Sequence, residues 1–385
     1  MPTKTQLILN DFPYQFNSRF IRMGKSYTHQ NHQSSTILTD DTFTYIDFYF
    51  SSHKKAMKYK EKDIKEKYGD PDKYNFKFYW KQSMSFYQAA KSLPIESSPL
   101  ASYYSMLNAV KSLIAFREPY VDNFVTDFNQ HGLHEDNSSA GEGLDTICVK
   151  RKQKGVFCHF GKTLEKDFEK LWPAGTSWSI KELLYNLAFM HRAYTVTYSS
   201  SKGKKVPEQF FPLKAGKSPF YTVGNDGKLY MIAELDGGRF SPMVTALPPS
   251  VRTTIPDSLM SSHGFWVRSK LGARRNPKSL STEFKALNQD LRRNFQYIKS
   301  GKRLWYLKQA LDSGNSINMN SMLIILATMH RFSEIVRYKP EQLARLLNSK
   351  ENWLIHEFLT MALDQFIDEI ATEITGQDIM CTGTK

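Results

Sequence analysis

"SPLASYYSMLNAVKSLIAF", residues 98–116, carries a complete helix signature. Ser98 is a good N-cap, and Pro99 suits the first helical position, where no backbone N–H donor is needed. Apolar side chains then recur at steps of three and four residues, which gives the segment a broad apolar face. We therefore predict a core helix that ends before Pro119.

Helical periodicity recurs on both sides of this segment. It is present from Phe76 in FKFYWKQSMSFYQAAKSL and returns after Ser279. The later helices are predicted in SLSTEFKALNQDLRRNFQYI, RLWYLKQAL, MNSMLIILATMHRFSEIV and NWLIHEFLTMALDQFIDEIATEI.

Strand-like segments fill the middle of the chain, around one predicted helix in SIKELLYNLAFMHRAY. The Asn-Asp-Gly turn in VGNDGKLYMI, between two apolar runs, predicts a hairpin. Near the start, the β-branched and aromatic content of FTYIDFYF predicts another strand. The remaining strand predictions are GVFCHF, AYTVTYS, PFYTVG, KLYMIAEL and HGFWVRS.

These patterns predict a mostly α protein with a helical core, an α+β insertion and an N-terminal arm. We assign residues 1–75 to the arm or a small subdomain and residues 76–149 to the first half of the core. Residues 150–278 form the insertion, and residues 279–385 complete the helical core.

The charge balance points to a polyanionic partner. Lys and Arg total 52 against 38 Asp and Glu, so the net charge is +14. Such a surplus speeds encounter with phosphate polymers, and nucleic acid is the first partner to consider, although an ordinary basic protein has the same balance. The candidate nucleic-acid-binding residues are Lys202, Lys204, Lys205, Arg268, Lys270, Arg274, Arg275, Arg292 and Arg293.

Several common classes are disfavoured by what the sequence lacks. Three cysteines without a CxxC pair indicate free thiols, and no apolar run is long enough for a signal peptide or a membrane span. We therefore expect a cytoplasmic protein with no membrane partner. Gly216-Lys217-Ser218 is no phosphate loop, because Phe211 stands where that motif needs its first glycine. No spacing typical of metal ligands occurs, so we expect neither a metal nor a cofactor.

The segment HRFSEIVRYKP, residues 330–340, combines a histidine, a carboxylate and basic side chains. On a helix His330 and Glu334 lie one turn apart, and Pro340 ends the helix just beyond Arg337. Two interpretations are open. Arg337 complements the dipole at the helix end, or it meets a phosphate-bearing ligand in a pocket with His330 or His131.

The helix at 98–116, with its two tyrosines, small residues and following lysine, resembles the helix YYAM..AAKALL of HEPN proteins. HEPN proteins are small helical bundles found among prokaryotic toxins and defence ribonucleases. In combination, PLASYYSMLNAVKSLIAF, HGL at 131–133, MLIILATMHRFSEIVRYKPEQ and NWLIHEFL resemble the motif order of YaaC-like proteins over roughly residues 76–375. This resemblance implies a HEPN-like helical bundle as the core, without a settled activity.

The HEPN resemblance also implies what a ribonuclease site requires. These enzymes use an arginine and a histidine separated by four to six residues, in which the histidine moves the 2′-hydroxyl proton and the arginine stabilises the phosphorane charge. Arg22 and His29 have this spacing but lie in the arm rather than on a late helix, and Arg345 and His356 are too far apart. The expected motif is therefore not found in the C-terminal helices.

We expect a HEPN-like nucleic-acid-binding protein, an RNA-directed effector of a bacterial toxin or anti-phage defence system. Its catalytic candidates are His131, His330 and Arg337. RNA is favoured over DNA as the partner, together with a protein of the same system and a second copy of the chain. The alternative is a non-catalytic helical scaffold or oligomerisation module for a partner protein, and a third possibility is a small-molecule or nucleotide sensor that uses the insertion.

Overall fold

The chain forms two compact units, each assembled from separate segments. Unit 1 combines Met1–Leu38, Glu208–Gly314 and Gly376–Lys385, and unit 2 combines Thr39–Pro207 and Asn315–Thr375. The computed structural model describes residues 7–9, 12–16, 19–28, 36–52, 75–117, 128–136, 141, 143–199, 206–236, 247–254, 265–275, 281–302, 304–311 and 316–381.

The helices and strands of the described residues are numbered in chain order. The helices are α1 (Thr42–Ser52), α2 (Phe76–Ser92), α3 (Ser98–Arg117), α4 (Val156–Leu164), α5 (Phe168–Leu171), α6 (Ile180–Tyr185), α7 (His191–Tyr198), α8 (Thr282–Asn294), α9 (Ser321–Tyr338), α10 (Pro340–Leu347) and α11 (Asn352–Thr375). The strands are β1 (Gln15–Phe16), β2 (Arg19–Phe20), β3 (Thr36–Leu38), β4 (Leu133–Asp136), β5 (Cys148–Arg151), β6 (Ser177–Ser179), β7 (Phe210–Pro212), β8 (Phe220–Val223), β9 (Lys228–Leu235), β10 (Val251–Thr254), β11 (Phe265–Ser269), β12 (Ala273–Arg274), β13 (Phe295–Ile298), β14 (Leu304–Lys308) and β15 (Asp378–Met380).

Unit 2 is organised around α3, which packs against α2, α9 and α11. Small residues let α2 and α3 approach closely. The hydroxyls of Ser83 and Ser105 each donate to the other residue's carbonyl at 2.9 Å, and Ser112 donates to the Phe76 carbonyl at 2.8 Å. These bonds satisfy buried hydroxyls that would otherwise oppose folding.

A small antiparallel sheet completes unit 2. Its central strand is β5, which pairs with β4 on one side and with β6 on the other. The register places Leu133 of β4 opposite Arg151 of β5. Because β4 also packs against α9, the residues just before this strand are brought to that helix.

Unit 1 is built mainly from antiparallel strands. One sheet has the order β10-β11-β9-β12, with β8 also paired to β9, and a second has the order β13-β14-β7. Apolar side chains of both sheets and of α8 share one core, which includes Tyr221, Val267, Phe284, Leu291 and Leu307. The two-residue strands β1 and β2 pair separately.

A parallel pair joins distant parts of unit 1. Strand β3 pairs with β15 so that Ile37 lies opposite Ile379. The backbone N–H of Lys25 donates to Asp378 at 2.9 Å, and its buried ammonium donates to the Ile379 carbonyl. The segment at 376–381 is thereby fixed to the segment at 24–38.

The expected fold class, a mostly α HEPN-like bundle, is wrong, because the protein is a mixed α/β protein. The main error lies at 295–298 and 304–308, where FQYI and LWYLK were predicted as helix and instead form the antiparallel pair β13 and β14. Their aromatic and β-branched residues suit a strand, and Ser300 and Gly301 supply the turn between them. Of the predicted insertion at 150–278, the residues up to Pro207 belong to unit 2 and those from Glu208 belong to unit 1.

Three segments predicted as strands are helices. FTYIDFYF lies in α1, where Asp41 accepts the Thr44 N–H at 3.0 Å and Phe43, Ile46 and Phe50 are buried at helical spacing. GVFCHF lies in α4 from Val156 onward, and AYTVTYS lies in α7 up to Tyr198. Short runs rich in aromatic residues suit both states, and here the neighbouring core determined the outcome.

Other predictions are confirmed. Helix α3 begins at Ser98, α9 ends before Pro340, and β8 and β9 form the hairpin predicted from the Asn-Asp-Gly turn. Gly227 in that turn has φ +75°, which a side chain would strain.

A helix that crosses a bilayer has to be both long and apolar. Within the described ranges, no helix is long and apolar enough to do so.

Candidate functional site

Helix α9 carries His330 in the interior of unit 2. Asn320 caps the helix by accepting the Met322 N–H at 2.8 Å. All side chains from Ser321 to Ser333 are buried, so the helix is enclosed on every side rather than along one apolar stripe. His330 is only 4% exposed.

His131 is brought to this helix by a tight turn before β4. Gly132 adopts φ +85°, and a Cβ there would lie 3.1 Å from Cβ of Phe157, so glycine is needed at this close approach. The carbonyl of His131 accepts the Phe157 N–H at 3.0 Å, and that of Gly132 accepts the Lys152 N–H at 2.9 Å. The backbone of His131 is thus held from both sides.

Tyr103 of α3 joins the two histidines. Its hydroxyl lies 2.5 Å from Nδ1 of His131, and its ring lies edge-on to that of His330 at a centroid distance of 5.0 Å. The rings of His131 and His330 are themselves 5.6 Å apart. We call Tyr103, His131 and His330 the histidine cluster.

An ion network links α9 to β4 beside the histidine cluster. Arg331 is buried and donates to Glu135 of β4 and to Glu334, the latter at 3.3 Å. Lys339 also donates to Glu135, at 2.6 Å. Oε2 of Glu334 lies 3.6 Å from Nδ1 of His330, which has no hydrogen-bond partner among the described residues.

The environment favours neutral histidines. Burial and the nearby positive groups, His131 and Arg331 foremost, lower the pKa of His330 well below 6.5. Partial burial, together with the charges of Lys111, Lys152 and Arg337, lowers the pKa of His131. His131 is exposed overall, but the edge of its ring that carries Nδ1 faces the hydroxyl of Tyr103.

The acidic groups of the site are shifted in different directions. Burial raises the pKa of Tyr103 well above 10, so its phenol stays neutral and can donate to His131. Burial raises the pKa of Glu334 despite the charge of Arg331. Burial also acts to raise that of Glu135, but the bonds from Lys339 and Arg331 outweigh it, so the pKa of Glu135 is lowered.

Arg337 lies at the exposed end of α9. Its guanidinium stands 5.3 Å from the ring centroid of Tyr338, and it forms no ion pair within the described part of the chain. It is not hydrogen-bonded to either histidine, but its charge acts on His131. His356 lies apart, exposed on α11.

The arrangement suits proton transfer on an anionic substrate. Two imidazoles are near enough to serve one reacting group, and one can accept a proton while the other donates. Lys111, Lys152 and Arg337 add positive charge whose effect reaches His131. Among the residues that the structure describes, no group of three His, Cys, Asp or Glu side chains is arranged to hold a metal ion.

The basic residues proposed for nucleic acid fall into different environments. Lys270, Arg274 and Arg275 are exposed in unit 1, and Arg293 is partly buried beside Asp290 at 3.4 Å. Lys202, Lys204 and Lys205 lie outside the described residues, as does His29.

Arg268 and Arg292 are interior residues and do not present their charge to a ligand at the surface. Arg268 is 5% exposed and donates to the Ser269 carbonyl at 3.1 Å. Arg292 is 0% exposed and donates to the carbonyls of Phe295 and Lys25. A count of basic residues cannot separate such side chains from those at the surface.

Sequence reasoning named His131, His330 and Arg337 but missed the residues that connect them. Tyr103 entered the sequence analysis only as one of the two tyrosines of the predicted core helix, and Arg331 and Glu135 were not singled out. The spacing of His330 and Glu334 was a usable signal, because an i, i+4 pair shares one helix face. The packing of β4 against α9, which brings Glu135 to Arg331, has no comparable local pattern in the sequence.

The fold and site together define a mixed α/β protein whose histidine pair lies between a buried helix and a small sheet. The family model described as YaaC-like Protein matches residues 18–374, so the chain belongs to the YaaC-like family. It matches no curated protein and no solved structure.

Proposed function

We propose that this YaaC-like protein binds RNA and cleaves its phosphodiester backbone by acid–base catalysis between His131 and His330. The observation that carries the proposal is the 5.6 Å separation of the two imidazole rings, with Tyr103 in contact with both. Histidines at this separation are near enough to act on one phosphate. His131 is exposed, and the substrate must reach His330 through the 4% of its surface that is exposed.

His330 is the base in the proposed reaction. Burial and nearby positive charge lower its pKa well below 6.5, so it is neutral at neutral pH and takes the proton of the 2′-hydroxyl. The 2′-oxygen attacks phosphorus, the bond from phosphorus to the 5′-oxygen breaks, and protonated His131 gives its proton to that leaving oxygen. The products are a 2′,3′-cyclic phosphate and a free 5′-hydroxyl, and proton exchange with water restores both histidines.

The surrounding cations support an anionic substrate. Arg331 is balanced by Glu135 and Glu334, whereas Arg337 has no carboxylate partner among the described residues. An exposed guanidinium can hold a phosphate through two parallel hydrogen bonds. The +14 charge of the whole chain adds long-range attraction for a polyanion.

The test is cleavage of a fluorescent DNA oligomer that contains one ribonucleotide. Cleavage should occur on the 3′ side of that ribonucleotide, and the all-deoxy oligomer should stay intact because it has no 2′-hydroxyl. His330→Gln and His131→Gln should each reduce the rate about 10²- to 10⁴-fold, with melting at pH 7.5 unchanged. His356→Gln, which alters an exposed histidine outside the site, should keep wild-type activity.

Equal activity in all three variants would contradict the proposal, as would cleavage of the all-deoxy oligomer. A protein that neither cleaves nor binds RNA would favour the alternative, a scaffold for a partner protein. A role in toxicity or phage defence stays a prediction, for which the histidine variants provide matched inactive proteins in a cellular assay. We place this activity in the cytoplasm, which the free cysteines also suit.

A further inference from the structure

The last turn of α9 presents an aromatic ring and a cation side by side at the protein surface. Tyr338 is 66% exposed, and the Arg337 guanidinium lies over its ring at 5.3 Å. A single exposed tyrosine is ordinary, but a ring paired with a cation that lacks a carboxylate partner in the described residues is a feature that can bind a ligand.

Within this pair, Arg337 is in line with His330, and Tyr338 lies about 80° around the helix from His330. On a helix of 3.6 residues per turn, Arg337 lies two turns from His330 on nearly the same face, with Glu334 between them. Tyr338 follows directly, about 12 Å along the axis from His330. It is too far to contact the nucleotide that reacts and near enough to contact a neighbouring one.

The end of the helix is fixed rather than frayed. The N–H of Lys339 donates to the Ile335 carbonyl at 2.8 Å, and its ammonium donates to Glu135 of β4 at 2.6 Å. Helix α10 then begins at Pro340. Tyr338 is therefore held on an ordered backbone, which lowers the entropy cost of stacking a ligand on its ring.

A nucleobase can stack on such a surface when its strand is single. A base of a single strand has a free face that stacks on tyrosine, whereas the bases of a duplex already stack on each other. The guanidinium of Arg337 is at the same time available to the adjacent phosphate. The chemistry of the pair thus favours single-stranded over double-stranded nucleic acid.

We propose that Tyr338 and Arg337 form a stacking platform that makes single-stranded RNA the substrate class of this site. Tyr338 holds a base next to the nucleotide that reacts, and Arg337 holds the phosphate between them. The inference rests on the proposed ribonuclease function for its place in a reaction, but the platform can be measured by binding alone.

The experiment uses a labelled 2′-O-methyl RNA 12-mer, which cannot be cleaved because its 2′-oxygen carries no proton. Binding to the full chain is measured by fluorescence anisotropy for the single strand and for its duplex. Tyr338→Ala should weaken single-strand binding about five- to hundredfold and leave duplex binding nearly unchanged. Tyr338→Trp should retain it, with quenching of the new tryptophan on binding. Phe48→Ala is the matched control, because Phe48 is an aromatic side chain of α1 that is 64% exposed.

Binding that responds equally to Tyr338→Ala and Phe48→Ala, or a wild type without preference for the single strand, would overturn the platform. If such a protein still cleaves RNA, the ribonuclease proposal stands by itself. If the wild type binds the single strand through Tyr338 but cleaves nothing, the platform stands and the ribonuclease proposal fails. A wild type that binds neither oligomer overturns both.

Discussion

Arg292 in unit 1 and Arg331 in unit 2 are buried to nearly the same extent, at 0% and 3% exposure, but their surroundings differ. Arg292 donates to two backbone carbonyls and lies 4.1 Å from the ring centroid of Tyr27 and 4.9 Å from that of Trp305. Arg331 donates to two carboxylates, one of which contacts a histidine.

The difference distinguishes a structural cation from one that belongs to a site. The partners of Arg292 are backbone and aromatic groups that do not titrate near neutral pH, so its burial serves packing and strand geometry. The partners of Arg331 can change charge and reach the histidine cluster. A buried charge indicates function when its neighbours can exchange protons.

The largest effect on stability is expected at Arg292. Arg292→Met keeps much of the side-chain volume but leaves the carbonyls of Phe295 and Lys25 without their donor, which should cost about 2–5 kcal/mol. Calorimetry measures the loss, and the rate of RNA cleavage per folded molecule should stay at the wild-type value. If Arg292→Met is stable but cleaves RNA more slowly, Arg292 belongs to the functional site and does not differ from Arg331 in role.

The matched change Arg331→Met should lower stability less than Arg292→Met does and lower activity more. Glu135 keeps Lys339, and Glu334 can take up a proton because its pKa is already raised, so we expect a loss of about 1–3 kcal/mol. Cleavage should fall at least tenfold, because the contact that positions Glu334 beside His330 is lost. Melting curves and initial rates on the same samples separate the two effects.

Acid should weaken the site in unit 2. The folded pKa of His330 lies below 6.5, so below pH 6.5 the unfolded chain binds more protons and stability falls as the pH decreases. His330→Gln should lose less stability than the wild type between pH 7.5 and pH 5, and Arg292→Met should keep the wild-type slope. Denaturation at several pH values measures these slopes, and equal slopes for wild type and His330→Gln would show that the burial of His330 is not linked to protonation.

The rate of cleavage should depend on pH for the same reason. Activity requires neutral His330 and protonated His131, so the rate falls below the pKa of the first and above that of the second. Since both pKa values are lowered, the optimum should lie below pH 6.5. A rate that keeps rising above pH 7 would exclude His131 as the acid.

The smallest effect on stability is expected at Arg337, which is exposed and forms no ion pair among the described residues. Arg337→Ala should cost about 0.3–1 kcal/mol, the value of a cation at a helix C-terminus. Binding of single-stranded RNA should weaken by more than this, and Arg337→Lys should restore only part of it, because lysine lacks the planar fork. If Arg337→Ala lowers stability but not binding, Arg337 stabilises the C-terminus of α9 through the helix dipole and does not bind phosphate.

Local patterns predicted much of the helical part. The serine at 98 and the proline at 340 indicated the limits of α3 and α9, and the helix period predicted that His330 and Glu334 share one face. The tripeptide HGL drew attention to His131 only through the resemblance to YaaC-like proteins. That this histidine meets His330 depends on the pairing of β4 and the turn at Gly132, which no local pattern encodes.

The errors have a common physical origin. FQYI, LWYLK and FTYIDFYF are short and aromatic, and such segments become strands or helices according to what they pack against. The same holds for Arg292. The sequence of α8 around it is mostly polar, as in a surface helix, but Arg292 itself lies in the interior of unit 1. Burial is a property of the assembled unit and not of the segment.

The pairing of β3 with β15 has a consequence for biosynthesis. The partner strands are separated by some 340 residues, so β3 leaves the ribosome long before Asp378–Met380 exists to pair with it. Segments of unit 2 are translated between the parts of unit 1, and α11 is finished only just before β15. Until Asp378–Met380 is made, β3 lacks the strand it pairs with, and the Lys25 ammonium lacks the Ile379 carbonyl to which it donates. A growing chain with such late partners has a long interval in which a chaperone can bind it.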